Sequence, residues 1–159
     1  MRVLIALAVF PGIVLADHLP ETLLAQGRPE TVLCGIDVIR SRTPELLEKF
    51  GKPISYDKYP KTEEAAEISW DKEGSKIHVT INADDIAYAV RVTGARSAIA
   101  KTGRGLELGQ TMEDLKSVYG DKFVKRGNII TLQWRDGTEM RVALDKGRIV
   151  SLMLIAPVE

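Results

Sequence analysis

One cysteine, Cys34, and two histidines, His18 and His78, are found in the 159 residues. A single thiol cannot form an internal disulfide, so the core has to be held by packing alone. Neither histidine belongs to an HxH or HExxH arrangement, which removes the common sequence signatures of a metal site. There is no GxSxG elbow for a serine nucleophile, and nothing in the spacing pairs Cys34 with His18 or His78. Charge of one sign is also missing. Lys+Arg and Asp+Glu both number 22, so no global field draws the chain towards nucleic acid. These absences point away from an enzyme, a cofactor-binding protein or a metalloprotein, and no catalytic, cofactor or metal residues are assigned. Glu63-Glu64 and Asp84-Asp85 read as solvated turn carboxylates. The apolar Thr31-Val32-Leu33-Cys34 run makes Cys34 a small buried residue.

The longest hydrophobic run lies at the start. Arg2 gives a short positive region, residues 3–15 are apolar apart from Pro11-Gly12, and Val14-Leu15-Ala16 has the small-residue pattern of a cleavage site. The run is shorter than the roughly 20 apolar residues that span a bilayer. Residues 1–16 are therefore expected to be a signal peptide cut between Ala16 and Asp17, leaving an exported, periplasmic or secreted chain without a stable membrane span. No cysteine follows the cut, so it is not a lipoprotein signal.

What the mature chain does contain is a repeated grammar. In residues 111–136, Thr111 caps a short helix and Glu113 and Asp114 complement its dipole. Leu115, Val118 and Tyr119 face inward, and Gly120 ends the helix. Ile130, Leu132 and Trp134 then alternate with Thr131, Gln133 and Arg135, the period of a half-buried strand, before an Asp136-Gly137 turn. Residues 43–70 carry a weaker copy: Thr43 as cap, Pro44 in the first turn, Leu46, Leu47 and Phe50 on one face, Gly51 at the end, and Trp70 on a later strand. The apolar pairs Ile77/Met140, Val79/Val142, Ile81/Leu144 and Ile86/Ile149 share one offset, so the second half repeats the first. The first copy holds the longer loop, residues 56–65, and loops of this kind often carry function.

The expected architecture is α+β: two tandem helix-plus-three-strand units, an antiparallel sheet with the helices on one face. Residues 17–92 would hold an N-terminal segment and the first repeat, with a short helix from Pro20 to Gly27 that turns Leu23 and Leu24 inward. Residues 93–105, Gly-rich and basic, would be a solvated linker, and 106–159 the second repeat. The inward set is Ile68, Trp70, Ile77, Val79, Leu132, Trp134, Met140 and Val142. The outward set includes Ser69, His78, Thr80, Ala87, Ala89, Gln133, Arg135, Arg141 and Ala143. Small and polar side chains on such a face suit docking of a protein, with Tyr56 and Tyr59 as aromatic anchors at the rim. The candidate partner-binding residues are Tyr56, Tyr59, His78, Gln133, Arg135 and Arg141. In the last strand Val150, Leu152 and Leu154 break the alternation, which requires a cover on that side or an exposed apolar patch.

The pattern T-x-x-(D/E)-L-x-x-x-Y-G followed by W-x-D-G, carried by Leu106, Leu108, Gly109, Thr111, Leu115, Tyr119, Gly120 and Trp134, resembles the small exported domain of the SmpA/OmlA (BamE) outer-membrane assembly lipoproteins. It is also similar to the tandem-repeat β-lactamase inhibitory proteins, with Leu46, Phe50, Gly51 and Trp70 as the fainter copy. The resemblance implies a helix-plus-antiparallel-sheet layer fold and a role through protein binding. It departs from the first family in lacking a lipobox and in having two copies, and from the second in lacking disulfides. No functional residue of either is carried over. The functional expectation is an exported, non-enzymatic protein-binding domain. The alternatives are an inhibitor of a secreted or periplasmic enzyme, and a small hydrolase or ligand carrier with its site between the repeats.

Overall fold

The computed structural model describes residues 19–59, 64–94 and 96–157, with the backbone alone at 64 and 65. The expected leader and residues 60–63 of the first-copy loop lie outside the described residues. After a single 3-10 turn, Glu21–Leu23, come a small hairpin of β1 (Val32–Leu33) and β2 (Ile36–Asp37), then helix α1 (Thr43–Phe50) and strands β3 (Ser55–Lys58), β4 (Glu64–Lys72), β5 (Ser75–Asn82) and β6 (Ala87–Gly94). Helix α2 (Met112–Tyr119) opens the second half and is followed by β7 (Val124–Arg126), β8 (Ile129–Gln133), β9 (Glu139–Asp145) and β10 (Arg148–Ile155).

Two helix-plus-three-strand units are not what forms. Each helix is followed by four strands, and all eight join in one antiparallel sheet ordered β3-β4-β5-β6-β10-β9-β8-β7. The order reads the same from either edge when the halves are exchanged. The two extra strands escape the periodicity test for a physical reason. All four residues of Ser55–Lys58 are exposed and Val124–Arg126 is three residues long, so neither presents an alternating apolar face. Both are edge strands, where charges such as Asp57, Lys58, Lys125 and Arg126 discourage pairing with another chain.

The halves meet through β6 and β10, with Leu152 opposite Val92 and Leu154 opposite Val90. That pairing explains the apolar character of the last strand. Rather than being covered by a second unit, β10 is a central strand between β6 and β9. A bulge between Ile149 and Ser151 shifts the alternation and leaves Val150 37% exposed.

Opposed residues define the two faces. One row runs Trp70, Ile77, Val92, Leu152, Val142, Ile130 from β4 to β8, and all six lie in the main core cluster. The helices cover this face. Phe50 meets Trp70 at a ring distance of 5.3 Å, Tyr119 meets Trp134 at 6.0 Å, and Leu46 and Leu115 are fully buried. Eight-residue helices are not stable by themselves, so burial at about 1.5–3 kcal/mol per large side chain holds them. The small hairpin joins the same cluster through Leu33, Ile36 and Val38, and its turn places Cys34 and Gly35 at positive φ.

The local signals hold unevenly. Thr111 caps α2, accepting from the Asp114 N–H at 3.3 Å while its own N–H donates to the Asp114 carboxylate at 2.8 Å. The Thr111 N–H and hydroxyl, both donating to it, hold the Asp114 carboxyl below its ordinary range. In α1, by contrast, Arg42 takes the cap position, and Thr43, already inside the helix, donates its hydroxyl to Asp85 at 2.5 Å. Gly51 and Gly120 end the two helices at φ 73° and 81°, as expected of glycine there. The expected Pro20–Gly27 helix is a single turn, and Leu23 is 38% exposed while Ala25 is buried. Residues 93–105 begin with the end of β6 and then bury Ala100 and Thr102 completely or nearly so, which a solvated linker would not do.

Candidate functional site

The face opposite the helices carries the polar half of each alternation. One row crosses the whole sheet: Ser55, Ser69, His78, Arg91, Met153, Arg141, Thr131 and Val124 stand opposite one another from β3 to β7. The next row runs Asp57, Glu67, Thr80, Ala89, Ile155, Glu139, Gln133. Ala89, Ala143 and Ile155 are buried on this face yet stand outside the main core cluster, so the apolar contacts here are separate from those beneath the helices.

His78 and Arg141 sit where the alternation puts them, three strands apart on the same row. His78 Nδ1 bonds Ser69 Oγ at 2.8 Å, and its Nε2 lies 3.7 Å from the Glu67 carboxylate. Burial holds the imidazole below its ordinary range; Glu67 opposes that shift and Arg91 adds to it. His78 is thus biased towards the neutral form. Arg141 pairs with Glu139 within its own strand, and both side chains are largely buried.

The other four expected residues are placed differently. Tyr56 stands opposite Ile68, on the row that continues through Val79 and Val90, so it belongs to the helix side of the sheet and not to the face of His78. Its ring, 39% exposed, lies beneath Lys58 Nζ at 5.3 Å. Tyr59 follows β3, 40% exposed, and its hydroxyl donates to Glu67 at 3.3 Å. Gln133 is on the open face but only 4% exposed, because the N-terminal segment reaches it: its side-chain oxygen accepts from the Leu19 N–H at 3.1 Å. Arg135 lies past the end of β8 and pairs with Glu21. Ala87, assigned outward by simple alternation, is turned into the core by the irregularity between Thr80 and Ile81 opposite it. The six residues therefore do not form one patch. His78 and Arg141 share a row, Gln133 flanks it under cover, Tyr59 reaches it only through Glu67, and Tyr56 and Arg135 are elsewhere.

Sequence reasoning passed over Arg91, which sits between His78 and Met153 on that row. The signal was present, since Arg91 alternates with the buried Val90 and Val92. It also passed over Glu30. This carboxylate is 4% exposed and accepts from Thr31 N–H, Val32 N–H, Arg104 N–H and the Tyr119 hydroxyl, the last at 2.7 Å. With its acceptor sites engaged it is a structural clasp. Cys34 is buried, and burial pushes its thiol up to about 12, so it is an inert packing residue and not a nucleophile. Among the described residues no group of three or more His, Cys, Asp or Glu side chains is arranged to hold a metal ion, and no helix is long and apolar enough to cross a membrane.

No protein-family model matches the chain, and no curated protein does. Two solved structures share the fold. A cysteine-rich secretory protein (SAV1118) from Staphylococcus aureus is 14% identical with a TM-score of 0.55, over 75% of this chain and 44% of that one. A DUF4309 family protein (YjgB) from Bacillus subtilis is 16% identical with a TM-score of 0.51, over 77% of this chain and 82% of that one. The chain spans under half the length of the staphylococcal protein. At these identities the likeness is one of fold alone. Neither neighbour is a β-lactamase inhibitory protein or an outer-membrane assembly lipoprotein.

Proposed function

We propose that this chain is an exported, non-enzymatic protein-binding domain that docks its partner on the sheet face opposite the helices. The observation that carries the reading is the His78–Arg91–Met153–Arg141 row. It sets long, chemically mixed side chains side by side on four adjacent strands, β5, β6, β10 and β9, on the face that the described helices leave open. A rigid sheet presents such a set at little conformational cost, and arginine with a large apolar neighbour is a composition favoured at interface centres. Export is proposed from the leader-like residues 1–16, and non-enzymatic action from the chemistry of the open face, where the His78 imidazole is held by Ser69 and Glu67.

Site-specific photocrosslinking tests the reading. A crosslinker at Thr131, on the open face, should capture a discrete protein from the exported fraction of the producing cells. The same crosslinker at Lys116, exposed on α2, should not. Equal capture at both positions, or capture at Lys116 alone, contradicts the assignment of the docking face.

A further inference from the structure

Arg91 has an unusual setting for a half-buried cation. It lies at the seam of the two halves, with β5 on one side and β10 on the other. None of the positions around it in the register is a carboxylate: His78, Lys76 and Thr80 flank it on β5, and Met153, Ser151 and Ile155 on β10. Its same-face neighbours along β6, Ala89 and Thr93, carry no charge. The face does hold acids, but one strand further out on each side, and they are engaged. Glu67 on β4 is shared between Tyr59 and His78, and Glu139 on β9 pairs with Arg141. Among the described residues Arg91 makes no ion pair or hydrogen bond through its guanidinium. Arg141, by contrast, takes up a neighbouring carboxylate.

A second, independent feature adjoins it. Ser151 is 4% exposed, and its Oγ, buried on this same face, finds no hydrogen-bond partner. A buried hydroxyl without a partner costs about 1–3 kcal/mol, so one that persists invites an external acceptor. Ser151 stands opposite Thr93, two residues along β10 from Met153, the residue opposite Arg91. An arginine without a counter-charge and a serine with an unpartnered hydroxyl therefore occupy neighbouring positions of one face, with Met153 beside both.

We propose that this spot is a seat for a carboxylate, specifically an aspartate or glutamate side chain presented by the protein that docks on this face. The inference rests on the docking reading above and supplies the partner's chemistry. A carboxylate is planar with two acceptor oxygens, which suits the guanidinium fork on one side and leaves a lone pair for the hydroxyl on the other. The positions directly around Arg91 hold cations and neutral groups only, and the nearest acids, Glu67 and Glu139, are already engaged, so an incoming acid is favoured there over an incoming cation, which meets Arg91 and Lys76.

The test uses N-acetyl-glutamate amide as probe, followed by amide chemical shifts of the whole chain, with N-acetyl-glutamine amide as the isosteric neutral control and inorganic phosphate as the generic anion. The glutamate probe should saturate with shifts centred on Arg91, Thr93, Ser151 and Met153, while the glutamine probe should not. Arg91→Gln should weaken binding about tenfold or more, and Ser151→Ala about threefold. Arg91→Lys should retain part of it, and dispersed spectra should show each variant folded. Equal binding of the glutamine probe, shifts centred elsewhere, phosphate binding more tightly than the carboxylate, or no effect of Arg91→Gln would each overturn the proposal. A working seat combined with no protein captured at Thr131 would instead count against the docking reading alone.

Discussion

The two halves place the same aromatic pair in the same position and hydrogen-bond it in opposite ways. In the first half Phe50 packs on Trp70, and the indole N–H donates to the carbonyl of Gly51, the glycine that ends α1, at 2.9 Å. In the second half Tyr119 packs on Trp134, whose buried indole N–H finds no partner. There the phenol carries the polar link, with its oxygen 2.7 Å from both Glu30 and Thr102. The first helix is thus tied to its own strand within one half. The second is tied to a segment that precedes both repeats and to the segment that joins them. Arg104, which stacks over Tyr119 at 5.2 Å and donates its backbone N–H to Glu30, strengthens that tie. The second half keeps the shape of the contact and places its polar anchor elsewhere.

The largest effect is expected where one group serves several donors. Glu30→Ala removes the shared acceptor of the Thr31, Val32 and Arg104 N–H groups and leaves the Tyr119 hydroxyl with Thr102 alone, and should cost about 3–5 kcal/mol by denaturant unfolding. No single polar side chain of the first half should cost as much. Gly103 belongs to the same clasp, because a Cβ there would stand 2.9 Å from Glu30 Oε1 and 3.2 Å from Val32 Cβ. Gly103→Ala should therefore destabilise by about 1–3 kcal/mol, which thermal melting would detect.

A smaller contrast isolates the indole. Trp70→Phe removes a donor that is bonded, while Trp134→Phe removes one that is not. Both lose comparable volume, so the first should be the more destabilising by about 1 kcal/mol in parallel urea titrations. Equal losses would mean that the Gly51 bond contributes nothing net.

The smallest effect concerns pH. Burial keeps His78 below its ordinary 6.5 in the folded chain. The unfolded chain then binds the proton more readily, so the contribution of this residue is present above pH 6.5 and is lost as the pH falls through that value towards the folded one. His78→Gln should flatten the decline in stability between pH 7.5 and pH 5.5, read from melting temperatures of both proteins; an unchanged slope would show that another group sets it.

The parts of the fold that were legible in sequence are those written locally. Thr111 and Asp114 box the start of α2, Gly51 and Gly120 end the helices, and the alternation of Ile77, Val79 and Ile81 marks β5. The repeat offset correctly matched Ile77 with Met140 and Val79 with Val142, which occupy equivalent strands β5 and β9 in the observed order. What failed depends on partners far away in the chain. Ser55–Lys58 looks like a turn because its strand character comes only from pairing with β4. The joining of the halves depends on β6 meeting β10, which no local signal encodes; the near-continuous apolar run of β10 was its trace, and it fits a central strand better than a strand awaiting a cover. Gln133 alternated outward correctly, yet the N-terminal segment reached over it. Of the candidate site, His78 and Arg141 were readable from period two alone, whereas Tyr56 was misplaced because β3 was not recognised and its facing could not be assigned.

The claim on which the rest depends is that the two halves share one continuous sheet, so that the proposed docking face is built across their seam. Native-state hydrogen exchange at the β6–β10 ladder, in the intact chain across a denaturant series, tests this most directly. The bonded amides that join residues 89–93 to 151–155 should exchange only through global opening, with the same free energy as the bonded amides of β5 and β9. Seam amides that open well before those of β5 and β9, or a half that melts by itself, would contradict the account.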